Sequence, residues 1–221
     1  MAYWVAFAAF ALLVAAGLVA LTRASAGVLG EAADEVPARE LLLQTALSQA
    51  LAGAVLVAAV WLAEVPVASL GAAVSPELAG VGVAAGLALA ACNEGAMRVL
   101  DAAGLGYDDE LREALTPENT VEWLVLLFVA LPIVAGFEEL LFRGVLVGAF
   151  SVGFGVSPWL LAAASSAVFG AAHTAQGATG VVVTTLLGFA LAAAYVLTGS
   201  LLAAFVAHYV VNAAEFAVHA R

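Results

Sequence analysis

Long apolar runs broken by short polar turns make up most of this chain. At 1.5 Å per residue, about twenty apolar residues cross the ~30 Å hydrocarbon core of a bilayer. On that measure the pattern predicts about seven transmembrane helices in an all-α, polytopic membrane bundle. The first runs near Tyr3–Thr22, the second Leu41–Ala63 and the third Leu78–Leu100. The fourth begins near Val121 and continues to about Phe150, and the remaining three are Pro158–Thr174, Thr179–Leu197 and Ser200–His219. Thr116-Pro117-Glu118-Asn119-Thr120 reads as the start signal of the fourth helix, and Pro158 suits the first turn of the fifth. Pro132 lies inside the fourth segment and predicts a kink there, with an eighth helix if the segment breaks in two. We read one membrane domain over residues 1–221.

Composition strengthens this reading. The chain is 65% hydrophobic with a mean hydropathy of +1.11, where soluble domains are typically about 45–50% apolar. The Tyr3–Thr22 stretch has no basic residue before it and exceeds a signal-peptide core, so it reads as an uncleaved span despite the small residues Ala24-Ser25-Ala26. Arg23, Arg39, Arg98, Arg112 and Arg221 all fall on one side of a seven-span bundle. The positive-inside rule then puts the N-terminus outside and the C-terminus in the cytoplasm.

Charge narrows the classes of partner. The chain has 17 acids against 6 basic residues, a net charge of −11. All six are Arg, with no Lys. Most acids sit in polar loops, among them Glu31, Asp34, Glu35 and Glu40, then Asp101, Asp108, Asp109, Glu110, Glu113 and Glu118. Such a surface argues against nucleic-acid binding, which needs a basic footprint, and is consistent with a high-salt cytoplasm. Cys92 stands alone in an apolar segment and reads as a small buried hydrophobe.

Three motifs set polar groups within the apolar segments: Glu138-Glu139-Leu140-Leu141-Phe142-Arg143, Phe169-Gly170-Ala171-Ala172-His173 and His208-Tyr209-Val210-Val211-Asn212. A charge at membrane depth costs roughly 2.5–3.5 kcal/mol on insertion scales, so such residues tend to be functional. Helix neighbours four apart share a face. Glu139 and Arg143 are so spaced and predict a structural ion pair. Glu138 points about 100° away from Glu139, which leaves it to face a cavity and do chemistry. Phe169 and His173 pair in the same way, as do His208 and Asn212.

Taken singly, each motif has an ordinary explanation as a folding staple or an interhelical hydrogen bond. Their joint occurrence points to a shared polar chamber. Glu94 with Arg98, and Glu215 with His219, repeat the spacing near helix ends and read as interfacial pairs. Ser165, Ser166, Thr184 and Thr185 read as packing and backbone-bonding residues. Nothing selects a Ser–His pair, and every Asp lies in a loop, which disfavours serine and aspartyl intramembrane chemistry.

In this order on successive spans, the motifs resemble the CPBP family of intramembrane proteases. That family includes type II CAAX prenyl endopeptidases and bacteriocin-processing or immunity proteins. The resemblance covers Val121 to Asn212, a motif region of 121–212, while the first three helices carry no signature. It implies a chamber opening toward the cytosol and a membrane-associated peptide or protein substrate, prenylated in the best-known class. By motif position it implies that Glu138 with His173 activates water, and that His208 and Asn212 stabilise the oxyanion. This matches what carboxylate, imidazole and amide groups can do.

The residues also allow a metalloprotease, with Glu138, His173 and His208 as zinc ligands and an open position for water. We prefer the mechanism without a cofactor, because Asn212 is a poor zinc ligand and no His-Glu-x-x-His helix is present. A transporter using the same polar residues and a non-catalytic immunity or scaffold protein of the same fold are the other readings. One difficulty is depth: with these boundaries, His173 lies near the cytoplasmic end of its helix while Glu138 and His208 lie deeper.

Overall fold

The computed structural model describes residues 2–32, 36–106 and 110–219. Asp34, Glu35, Asp108, Asp109 and Arg221, named above for their charge, lie outside the described residues, as do the side chains of Glu31 and Glu110. Among the described residues the chain is helical and has no strand. Helices α1 (Trp4–Ala32), α2 (Ala38–Leu62) and α3 (Pro76–Ala102) come first. A continuous helical segment, α4 (Thr120–Phe154), follows. Then come α5 (Pro158–Ala171), α6 (Gly177–Thr198) and α7 (Leu201–His219).

Among the described residues, six segments are long and apolar enough to cross a membrane, and Pro158–Ala171 is a shorter apolar helix. The expected seven helices are therefore present, in a polytopic bundle. Their outer faces are apolar: Leu12, Leu47, Val55, Leu87, Phe128, Leu160 and Leu186 are all exposed. Apolar surface on this scale would aggregate in water and suits contact with lipid tails.

Local chemistry sets the helix ends. Ser75 caps α3 by accepting from the Leu78 N–H at 3.2 Å. Asn119 caps α4 by accepting from the Glu122 N–H at 3.1 Å, while Glu122 accepts from the Glu118 N–H at 2.8 Å. The first bond satisfies a donor that the first turn leaves open, and the second ties the residue before the cap to the helix. Two boundaries differ from expectation. Helix α1 continues through Ala24-Ser25-Ala26 to Ala32 rather than ending at Thr22. Helix α5 ends at Ala171, a turn earlier than predicted.

Helix α4 does not break at Pro132. The residues before it, Leu126–Ala130, wind as a π-helix, and the Leu131 N–H reaches back to the Leu126 carbonyl. A wider turn accommodates the ring and the missing donor without splitting the helix. A second π-helical stretch, Leu140–Ala149, starts immediately after the two glutamates. Helix α4 is the most enclosed segment, with 44% of its apolar window buried against 11% for α3. It packs on α1, α2, α5 and α7.

Helix α7 is held mainly by α3. The seam is Gly82-x-x-x-Gly86. A Cβ added at Gly82 would lie 2.7 Å from the Ala203 carbonyl oxygen, and one at Gly86 would lie 2.7 Å from Val210 Cβ. Glycine thus lets the two backbones approach, which lipid cannot drive by a hydrophobic effect. Cys92, expected to be buried, is exposed: α3 turns its glycine seam inward, and most of its remaining surface faces outward.

Because this seam sets where α7 sits, Gly86→Leu is expected to destabilise the protein by ~1–3 kcal/mol, the usual cost of overpacking. Thermal unfolding in detergent checks this. Gly17→Leu, where an added Cβ meets nothing within 4 Å, should leave the midpoint unchanged.

Candidate active site

Glu139 is fully buried on α4. Its Oε1 accepts from Arg143 Nη1 at 2.7 Å, the predicted pair one turn apart. The same oxygen lies 2.7 Å from Nδ1 of His208, which comes from α7. The carboxylate therefore clamps two helices. Arg143 is only 1% exposed. Its Nη2 donates to the Gly188 carbonyl of α6 at 2.8 Å, and its guanidinium carbon sits 4.7 Å from the centre of the Phe169 ring. One buried guanidinium thereby ties α4 to α6 through a charged hydrogen bond and to α5 through a cation–π contact.

Phe169 is the apolar hub of this cluster. Its ring meets Phe142 edge-on at 5.0 Å, His173 at 4.6 Å and His208 edge-on at 5.9 Å. A Cβ at Gly188 would lie 2.9 Å from the Phe169 ring, so glycine at 188 gives the ring its room and presents its own carbonyl to Arg143. Ser165 donates to the Phe142 carbonyl at 2.7 Å and joins α5 to α4.

His173 lies just past the end of α5, in the turn before α6, and not on the helix as predicted. Its Nδ1 is 2.8 Å from the Phe169 carbonyl oxygen. A carbonyl only accepts, so Nδ1 carries the proton, and the bond satisfies a carbonyl that the helix end leaves open. The Nε2 lone pair of the neutral ring is then free for other work. The early end of α5 also resolves the depth difficulty. Fourteen residues carry the chain only about 21 Å, and the half-buried His173 lines the same cavity as Glu138 and His208.

Glu138 turns away from Glu139, as its spacing predicts. Its Oε2 is 3.7 Å from Nε2 of His208. Glu138, Phe169, His173, His208 and Asn212 all line one cavity of about 180 Å³. The rest of its wall is mixed. Met97, Leu115, Val134, Val183, Leu187 and Phe216 are apolar, while Asn93, Arg112, Gln176, Thr184 and Glu215 are polar. The sequence-predicted residues from α4, the α5–α6 turn and α7 are thus brought together, with Glu139 and Arg143 directly behind them.

Among the described residues, no three His, Cys, Asp or Glu side chains are gathered to hold a metal ion. Glu138 and His208 approach each other, but His173 does not complete a set with them.

Two features had no signal in spacing. The contact of Glu139 with His208 joins residues 69 positions apart. Gln176 and Thr184, on the cavity wall, lie outside every motif. Toward the C-terminal end of α7, His219 Nε2 lies 3.0 Å from Glu94 of α3, which also binds Arg98 at 2.7 Å. His219 thus fastens α7 to α3 rather than serving only its own helix.

These observations define a class: an integral membrane helical bundle with a polar, acid- and imidazole-lined chamber. Residues 120–214 match the family described as type II CAAX prenyl endopeptidase Rce1-like. That segment contains all three motifs, and over it the chain is similar to the CPBP/CAAX family of intramembrane proteases. No curated protein and no solved structure matches the chain.

Removing one partner of a buried ion pair strands the other, typically at ~3–5 kcal/mol. Arg143→Met is expected to cost that much in thermal or denaturant unfolding. Adding Glu139→Gln to Arg143→Met, which removes both charges, should recover a large part of the loss.

Proposed function

We propose that this protein hydrolyses a peptide bond near the membrane surface, by attack of a water activated between Glu138 and His173. The observation that carries this reading is the convergence of Glu138, His173, His208 and Asn212, from separate elements, on one cavity. At the level of the family, a CAAX-type intramembrane protease is supported by the match over residues 120–214.

The chemistry follows from the hydrogen bonds. His173 spends its Nδ1 proton on the Phe169 carbonyl, so its Nε2 accepts a proton from water together with the Glu138 carboxylate. The water oxygen bonds to the scissile carbonyl carbon. The negative charge that develops on the carbonyl oxygen is met by N–H donors from Asn212 and His208. With Nδ1 engaged by Glu139, His208 offers Nε2 as its donor to the oxyanion. Collapse of the tetrahedral intermediate breaks the C–N bond, and the proton taken from water passes to the leaving nitrogen. Donors held in place around such an oxyanion lower the barrier to acyl transfer more than most other single features of a site.

The wall chemistry supports a membrane-associated peptide with a large apolar group, a prenyl chain being one example. Met97, Val134, Val183 and Leu187 would receive it. Arg112 and Leu115, before α4, and Glu215 and Phe216, toward the end of α7, also line the cavity. On the arginine distribution this is the cytoplasmic side, with the N-terminus outside.

The decisive comparison expresses the wild type and Glu138→Ala in a host lacking the protein, and maps peptide termini in both membrane proteomes. New termini are expected only with the wild type; identical termini would remove the protease reading. With a cleavable peptide in hand, Asn212→Ala should lower kcat by ~10²–10³, the typical loss of one oxyanion donor. Exhaustive chelation should leave turnover unchanged, and a loss restored specifically by zinc would overturn the metal-free mechanism.

A further inference from the structure

Several helix-borne hydroxyls in this protein bond back to the carbonyl three or four residues earlier. Ser166 donates to Ala162, Thr185 to Val181 and Thr198 to Ala194, at 2.6, 2.7 and 2.7 Å. Thr184, only 8% exposed, does not. Its hydroxyl donates instead to the side-chain oxygen of Gln176 at 2.6 Å.

The surrounding backbone is shaped around that bond. Gln176 closes the single turn that begins after His173, and its N–H donates to the His173 carbonyl at 3.0 Å. Gly177 then takes φ 70° and ψ −179°, a conformation essentially restricted to glycine, and starts α6. At Gly180, one turn on, an added Cβ would collide with the Cβ of Gln176. Gly177 thus sets the turn, Gly180 makes room for the side chain, and one threonine fixes its carboxamide.

Gln176 and Thr184 line the same cavity as Glu138, His173, His208 and Asn212. With Oε1 held by Thr184, the Nε2 amino group has no partner among the described residues. A carboxamide locked at one end presents two N–H donors at the other.

We propose that Gln176, oriented by Thr184, is a substrate-positioning residue that donates its amide N–H groups to a main-chain carbonyl of the peptide in this cavity. This rests on the reading of the cavity as a peptidase site. It adds a contact that none of the three motifs contains. Gln176 is fixed to the turn that carries His173, so a peptide held there is held in register with the attacking water. Orientation of this kind raises the effective concentration of the reacting groups.

The test measures binding apart from turnover. Glu138→Gln protein in nanodiscs is titrated with a fluorescent prenylated CAAX peptide, and Kd is read by anisotropy. Adding Gln176→Ala is expected to weaken binding about five- to tenfold, the worth of one to two modest hydrogen bonds. Thr184→Val should do the same, and Thr184→Ser, which keeps the hydroxyl, should restore tight binding. Peptides with a single main-chain amide replaced by an ester separate positioning from a packing defect. One ester position should weaken binding to Gln176 protein and have no further effect on Gln176→Ala. Unchanged Kd in Gln176→Ala, an ester penalty independent of Gln176, or no binding by either protein would overturn the proposal. Cleavage by the wild type is scored separately. Binding that depends on Gln176 without any cleavage would sink the peptidase reading alone, and cleavage with an unaltered Kd would sink the clamp alone.

Discussion

Glu139 is a single carboxylate, with no exposure to solvent, that accepts from both Arg143 and His208 through one oxygen. In a bundle surrounded by lipid, there is no water to satisfy either group if that contact is lost. Apolar packing alone discriminates poorly between helix arrangements in such a setting, because lipid tails are as apolar as leucine. The Arg143–Glu139–His208 link is directional, and it accepts only one mutual setting of α4 and α7. Arg143 extends the same constraint to α6 through Gly188 and to α5 through the Phe169 ring. Four helices are thereby fixed by one charged node, and the cavity is the space left in front of it.

That node works only because backbones come close enough to form it. Gly82 and Gly86 let α3 press on α7, and Gly188 gives Phe169 its room. The π-helical turns of α4 add a second adjustment. A continuous α-helix carrying Pro132 would leave a carbonyl without its donor. The wider winding absorbs that defect, and a second such stretch, starting just after the two glutamates, carries Arg143. Insertions of this type recur at functional sites, because they re-aim side chains without ending the helix.

Division of labour between the two adjacent glutamates follows from their directions. Glu139, behind the cavity, is used up in holding charge. Glu138, at its wall, approaches His208 to 3.7 Å and keeps capacity for a ligand. The two imidazoles divide in the same way. Each commits Nδ1, one to a carbonyl and one to a carboxylate, and each has its other nitrogen uncommitted by such a bond. A ligand in the cavity therefore meets two pre-oriented rings rather than two free ones.

Seven apolar stretches, the ion pair between Glu139 and Arg143, and the opposed directions of Glu138 and Glu139 were all legible in the sequence. They depend only on hydropathy and helical periodicity, which are local. The three polar stripes also announced a common chamber, since buried ionisable groups need partners. What tertiary structure alone decided were the contacts and endpoints that no local period encodes. Helix α5 stops at Ala171 and leaves His173 in a turn at the right depth. The partner of His208 is Glu139, and Gln176 and Thr184 join the wall from outside every motif. Spacing along one helix fixes which face a residue takes. Which residue on another helix it meets depends on how closely two backbones pack, and only the assembled bundle sets that distance.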